Sequence, residues 1–427
     1  MSSKMETMAI KEDGKPELIP RRRFPEFQEA PAWTKEAGKA VFDQVNDRDP
    51  EPGLPVLAIT QEHGAIPRHM IDYHVSVTDK SIESYKVVRV GDFIISLRSF
   101  QGGIEYSKYN GICSPAYVIL RRRGSGRDDY FRHYLKTERF IRILTRNLEG
   151  LRDGKMISYG QFSGLQIPVP KASEQQKIAD CLDSADELIA AQARKVDALK
   201  THKKGLMQQL FPEEGKTKPR VRFPEFEDTG EWVEGTISDI GTVLQGYGFP
   251  ERYQGLKSGD FPFYKVSDIS RSLAAGKTFI KEAANYVNES QLKELRAKPI
   301  PAGTTVFAKI GEAIRSNKRA ITTVPCLIDN NAAGVKAIKG KATDFFIYLT
   351  MEQISLIDRA GGVVPAVNKS AIEAIPVKFP KVVEQQRIAD CLTSLDNLIA
   401  AETQKLGVLK RHKCGLMQQL FPSVEEH

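Results

Sequence analysis

Between residues 174 and 210, apolar side chains recur in steps of three, four or seven: Ile178, Leu182, Ala185, Ile189, Val196, Leu199, Leu206 and Leu210. A second stretch repeats the rhythm with Ile388, Leu392, Leu395, Ile399, Leu406, Leu409, Leu416 and Leu420. Neither contains proline, and the alternation of three and four is that of a coiled-coil seam, so each predicts a helix of roughly 55 Å at 1.5 Å per residue. A Phe-Pro pair follows each and stops it, because proline disfavours helical geometry at the residue before it.

These helices are copies. Residues 174–212 (EQQKIADCLDSADELIAAQARKVDALKTHKKGLMQQLFP) and 384–422 (EQQRIADCLTSLDNLIAAETQKLGVLKRHKCGLMQQLFP) match at 27 of 39 positions. A shorter echo precedes them, RRRFPEF at 21–27 and RVRFPEF at 220–226. Two shared elements thus alternate with two divergent ones, the pattern of one frame carrying two differently aimed heads. Two polar steps interrupt both seams, Gln192 with Glu402 and Lys203 with Lys413. A parallel pair would oppose the two lysines inside the seam. Antiparallel packing is expected instead, with Ile178 near Leu420, Leu210 near Ile388, and each lysine reaching from the partner's apolar seam towards water.

The divergent segments show short β-branched runs: LPVLAIT (54–60), YKVVRV (85–90), DFIISL (92–97) and AYVIL (116–120) in the first, and FPFYKVS (261–267), TTVFAKI (304–310), RAITTV (319–324) and GVKAI (334–338) in the second. A helical stretch follows in each, from Asp129 and from Thr343, and then a strand, LQIPVP or EAIPVKFP, leads into the long helix. The fold class expected is α+β: two mixed α/β heads separated by two long antiparallel coiled-coil helices in a pseudo-two-fold arrangement. The boundaries are an N-terminal tail 1–30, head 31–173, helix 174–212, linker 213–230, head 231–383, helix 384–422 and tail 423–427. The first head is short between Trp33 and Leu54, where the second has a longer run to Phe261, so an element is expected to be missing or replaced there.

Composition adds exclusions. The 427 residues exceed one ordinary core, and 41% hydrophobic content excludes a disordered chain. No run of eighteen apolar residues predicts a membrane span, and MSSKMETMAIKEDGKPELIP has no secretory pattern. Five scattered cysteines, Cys113, Cys181, Cys326, Cys391 and Cys414, fit neither a disulfide framework nor a zinc site and suit a reducing cytoplasm. The net charge of +8 suits an anionic partner without proving one. No phosphate loop, no Asn/Asp-Pro-Pro-aromatic tetrapeptide and no G-x-G-x-x-G occurs; His63, His69 and His74 lack zinc-ligand spacing; His202 and His412 sit at matched helical positions. No catalysis or metal is expected on this chain.

The paired EQQ-[KR]-IADCL…GLMQQLFP helices, the RFPEF lead-ins and the IPVP/IPVKFP strands resemble type I restriction–modification specificity subunits, over about residues 21–422. ITQEHGAIPR, GDFIISLRSFQGG and FYKVSDI agree with that family's style. The resemblance implies two target-recognition domains, each reading half of a bipartite asymmetric site in double-stranded DNA. It also implies spacer helices docking two methyltransferase subunits, and restriction/translocase subunits completing a cytoplasmic phage-defence complex. The assembled complex would be an adenine-N6 methyltransferase and ATP-dependent endonuclease, with S-adenosylmethionine, ATP and magnesium on the partner subunits and no cofactor on this chain. The alternatives are a coiled-coil scaffold with protein-binding heads, or a specificity protein of another phage-defence methyltransferase.

Base reading needs amide, basic and aromatic groups on loops. The candidates in the first head are Gln61, His63, Arg68, Arg98, Ser99, Gln101, Tyr106, Lys108, Tyr109 and Asn110. Those in the second are Lys265, Ser267, Lys309, Arg315, Ser316, Asn317, Lys318, Arg319, Asn330 and Asn331. The helix-pair interface is expected from Ile178, Leu182, Ile189, Val196, Leu199, Leu206, Ile388, Leu392, Leu395, Ile399, Leu406, Leu409 and Leu416.

Overall fold

The computed structural model describes residues 18–71, 84–124, 128–146, 157–274, 276 and 278–422. The chain forms two units, residues 1–193 with 405–427 and residues 194–404. Each contains one head, part of each long helix and one RFPEF segment. The helices run over Ala172–Leu210 and Val382–Leu420, 39 residues each.

In the first unit, Ile178 and Leu182 from the start of one helix share a buried cluster with Leu420 and Phe421 from the end of the other. In the second, Leu210 and Phe211 cluster with Ile388 and Leu392. The pairing is therefore antiparallel, and the terminal phenylalanines extend it into the heads. Phe421 meets Tyr130 and Tyr134 at 5.6 Å, and Phe211 meets Trp232 and Phe346 at the same separation. Phe-Pro ends each helix and also plugs its last turn into a head's aromatic core.

The seam lysines behave differently from the expectation. Lys203 donates to Asp396 at 2.6 Å, and Lys413 donates to Asp186 at 2.6 and 2.7 Å. Each lysine is held by a carboxylate of the opposite helix instead of extending to water, which its half-buried stem would otherwise require. Asp396→Ala is expected to cost about 1–3 kcal/mol, because a partly buried ammonium loses its acceptor. Lys203→Met with Asp396→Leu should recover most of that in urea denaturation.

The repeated polar residues pair within each unit. Arg23 forms a bidentate ion pair with Glu174 at 2.7 Å, and Arg222 does the same with Glu384 at 2.8 and 2.7 Å. Trp232 Nε1 adds a third donor to Glu384 at 3.2 Å. Next along, Gln175 and Gln385 donate to the Pro170 and Pro380 carbonyls at 2.9 Å, closing the strand-to-helix corner. Gln176 and Gln386 bond Asp180 and Asp390 one turn on. The fourth position pairs with the FPEF glutamate, Lys177 with Glu26 at 3.0 Å and Arg387 with Glu225 at 2.9 Å. Residues 21–27 and 220–226, inside the segments expected to be tail and linker, thus belong to the frame.

The first head contains β1 (Thr34–Ala37), β2 (Phe42–Val45), β3 (Leu57–Thr60), β4 (Gly64–Pro67), β5 (Lys86–Val88), β6 (Phe93–Ile95), β7 (Glu105–Tyr106), β8 (Gly111–Cys113), β9 (Val118–Arg122) and β10 (Gln166–Val169). The second contains β11 (Val233–Thr236), β12 (Gly241–Gln245), β13 (Phe261–Tyr264), β14 (Phe279–Ile280), β15 (Tyr286–Val287), β16 (Thr305–Ala308), β17 (Arg319–Thr322), β18 (Leu327–Ile328), β19 (Ala332–Ala337) and β20 (Pro376–Phe379). The main sheets correspond, β2-β9-β6-β7 in one and β12-β19-β16-β17-β14 in the other. Each head is tied off by an antiparallel pair, β1 with β10 or β11 with β20.

The shorter run after Trp33 keeps a strand, one helical turn (Gly38–Val41) and a strand that match Val233–Thr236, Ile237–Ile240 and Gly241–Gln245, and it lacks the 3-10 turn Glu251–Tyr253 that the second head places before β13. Two expectations change. Shared strand order holds only for the sheet, since β8 pairs with an antiparallel β5 while β18 pairs with a parallel β13. The helical stretch after Asp129 is two helices, Asp128–Tyr134 and Glu138–Arg146. Thr137 divides them: its hydroxyl donates to the Tyr134 carbonyl and accepts from Phe140 N–H, ending one helix and capping the next.

Candidate nucleic-acid interface

In the second head the candidate residues converge at the C-terminal end of β16. Lys309 follows that strand directly. Its N–H donates to the Asn331 carbonyl at 2.8 Å, and its own carbonyl accepts from Val367 N–H at 2.9 Å. Gly311 N–H donates to Pro365 O at 2.8 Å. Three loops, 309–318, 329–331 and 361–367, are thereby joined by backbone bonds. Lys309 Nζ donates to the Gln245 side chain at the end of β12, and burial lowers the ammonium's pKa. Lys265 follows β13 into the same end: Asp329 N–H donates to Tyr264 O at 3.0 Å. Its ammonium lies 5.5 Å from the Phe249 ring centroid and donates to Gln254. Ser267, Arg315, Ser316, Asn330 and Asn331 are exposed; Asn317 and Lys318 are half-buried.

Arg319 leaves the set of base readers. It is 2% exposed, donates to Asn317 Oδ1 at 2.6 Å and to Ile354 O at 3.2 Å, and sits 5.1 Å from the Phe307 ring centroid. Burial lowers its pKa to about 10. Asn317 takes a left-handed φ of 49° and donates to Glu352 O at 3.2 Å. The pair therefore anchors the 312–318 loop, leaving Arg315 and Ser316 outward.

In the first head the equivalent connection follows β6. Arg98 is exposed, its carbonyl accepts from Gln61 Nε2 at 3.2 Å and from Gln101 N–H at 2.9 Å, and the exposed tip of the β3–β4 hairpin bears His63. Arg68 is half-buried in the turn Arg68–Met70. Two candidates are packing residues. Ser99 is 1% exposed, with its hydroxyl accepting from Ser96 N–H at 2.9 Å. Tyr106 lies 5.1 Å from Phe93 and under Arg132, and burial raises its phenol pKa. Lys108, Tyr109 and Asn110 are exposed, but Asn110 accepts from Val90 N–H, ahead of β6, whereas Arg98 lies beyond it. They occupy the opposite end of that strand from Gln61, Arg98 and Gln101.

Of the histidines weighed for metal, His63 and His69 are exposed and His74 lies outside the described residues. His133, Asp183 and Asp186 do come within ligand distance of one another. Arg132 binds Asp183 and Lys413 binds Asp186, so two cations of the chain already occupy this cluster, and His133, whose pKa burial lowers, shares a hydrogen bond with Asp183.

The model of the type I restriction modification DNA specificity domain matches residues 36–201 and 229–411. The chain belongs to that family. It is similar to the type I restriction enzyme MjaVIII specificity subunit of Methanocaldococcus jannaschii, with 24% identity over 362 residues and 81% of each chain covered. The MjaIX specificity subunit of the same organism is 21% identical over 354 residues, covering 81% of this chain and 80% of its own. Among solved structures, the S subunit of a type I restriction–modification system from M. genitalium shares the fold. Its TM-score is 0.52 at 16% identity, with 95% of this chain and 100% of that one covered. A chain from a structure on complex assembly and conformational transition of the type I R-M system gives 0.54 at 13%, with 92% and 95% covered. The family match makes this chain a type I restriction–modification specificity subunit. Among its described residues, no helix is long and apolar enough to cross a membrane.

Proposed function

We propose that this specificity subunit performs no catalysis itself and reads a bipartite asymmetric site in double-stranded DNA, one half with each head. The observation that carries this reading is a common sheet in both heads whose equivalent connection, after β6 or after β16, bears different polar residues: Arg98 and Gln101 in one, Lys309, Arg315 and Ser316 in the other. A shared frame with divergent loops is what two different half-sites require, since phosphate contacts position a protein and side chains at base edges specify the sequence. The long helices set the half-site spacing and dock two methyltransferase subunits, and restriction/translocase subunits complete a cytoplasmic complex. S-adenosylmethionine, ATP and magnesium act on those partners, giving adenine-N6 methylation and ATP-dependent cleavage.

Methylation mapping of a host expressing the complex tests this by returning both half-sites and their spacer. One heptad inserted into both helices adds about 10 Å, so the spacer should grow by about three base pairs with unchanged half-sites. A fixed spacer would contradict the ruler role. Binding to random duplex should weaken steeply with salt, and a protein-binding scaffold would show no such slope.

A further inference from the structure

The hairpin at residues 361–366 is built oddly for a loop with no task. Gly361 and Ala366 exchange both backbone bonds at 3.1 Å, and Gly362 turns the chain with φ of 89°. Val363 is 105% exposed and Val364 61%. Two β-branched apolar side chains therefore stand in water on a hydrogen-bonded hairpin backbone. Pro365 accepts from Gly311, Val367 donates to Lys309 and is itself buried, and Ile310 bridges to Ala366. The tip is thus fixed to the loop carrying Lys309, Arg315 and Asn317. Exposed cations lie before and after the hairpin in sequence, Arg359 and Lys369, and Arg315 is exposed in the joined loop; Arg315 and Lys369 pair with Glu312 and Glu373 on their own elements. An apolar point flanked by these cations fits a duplex, where phosphates meet the cations and the apolar feature of a base edge is the thymine methyl group.

We propose that Val363 and Val364 form an apolar reading tip of the second head, packing on a thymine C5-methyl group in its half-site. This rests on the reading that the head binds DNA. The tip reads a feature that hydrogen bonds do not, since a methyl group neither donates nor accepts. It does not neutralise phosphate, so it acts on sequence preference and leaves the salt dependence alone.

The test is selection from random duplexes with the full-length chain, comparing wild type with V363S/V364S. Both side chains are outside the core, so the variant keeps its fold. The selected duplex should bind the variant roughly tenfold more weakly, the loss of about one base-pair contact. Preference should vanish at one or two adjacent thymine positions of the second half-site, while the first half-site and the salt slope stay unchanged. Uracil in place of that thymine should weaken the wild type by the same factor and leave the variant unaffected. Unchanged selection by the variant, a second half-site without thymine, or indifference to uracil would overturn the proposal. So would loss of a co-purifying methyltransferase subunit with DNA affinity intact, which would make the tip a protein contact. Failure of the underlying reading looks different: the wild type then enriches no sequence.

Discussion

Glu384→Gln is expected to destabilise the second unit by about 3–5 kcal/mol, the range for removing one partner of a buried ion pair. The carboxylate accepts two bonds from Arg222 and one from Trp232, and side-chain exposure is only 9% for the arginine and 3% for the glutamate. An amide keeps the volume but abandons a buried guanidinium without its counter-charge. Arg222→Met with Glu384→Leu should recover much of the loss, because the desolvation cost then disappears with both charges. Glu174→Gln should act likewise in the first unit through Arg23, whose pair is equally buried. Hydrogen exchange resolved along the chain separates the two units, and a loss below about 1 kcal/mol would show the pair to be incidental. The consequence for function is direct, since this glutamate joins the lead-in segment, the long helix and the aromatic core beneath the head.

Exchanging residues 232–383 for the corresponding head of a relative should replace one half-site completely and leave the other half-site and the spacer as they were. The two heads have separate cores: Ile237, Phe307, Ile347 and Leu356 are buried together in the second, Phe42, Phe93, Phe131 and Phe162 in the first. The exchanged segment begins at Trp232, so the Glu384 acceptor meets an incoming aromatic, and a donor head with Trp at that position should fold best. Methylation mapping reads the result, and a change in both half-sites would refute independent reading.

The antiparallel helix pair was legible because like charges cannot be buried face to face; Lys203 and Lys413 alone dictated the orientation. The RFPEF and EQQ-[KR] echoes were equally legible as a repeated unit. Their mutual recognition was not, since Arg23 meets Glu174 across 151 positions and Arg222 meets Glu384 across 162. The lysine acceptors Asp186 and Asp396 were hidden for a related reason. They repeat at the same offset as the lysines, but helical periodicity says which face a residue occupies and not which partner it meets.

Loop composition anticipated the grouping at the proposed reading ends only in part. It placed Arg98 and Gln101 with the hairpin bearing Gln61, and Lys309 with Asn331, groups that the structure brings together. It also included Ser99, Tyr106 and Arg319, because polarity in a sequence does not reveal that Arg319 lies over Phe307 with its donors turned inward. It passed over Val363 and Val364, where the signal was apolar and visible only once their exposure was known.

By itself the sequence determined the two-headed plan, the helical frame and its direction, all consequences of periodicity, duplication and charge that act over a few turns of chain. Only the tertiary structure decided which repeated residues hold which, which loop residues face outward, and which three loops join at the end of β16. Those outcomes depend on hydrogen bonds and burial between segments far apart in the chain, where local pattern carries no information about the partner.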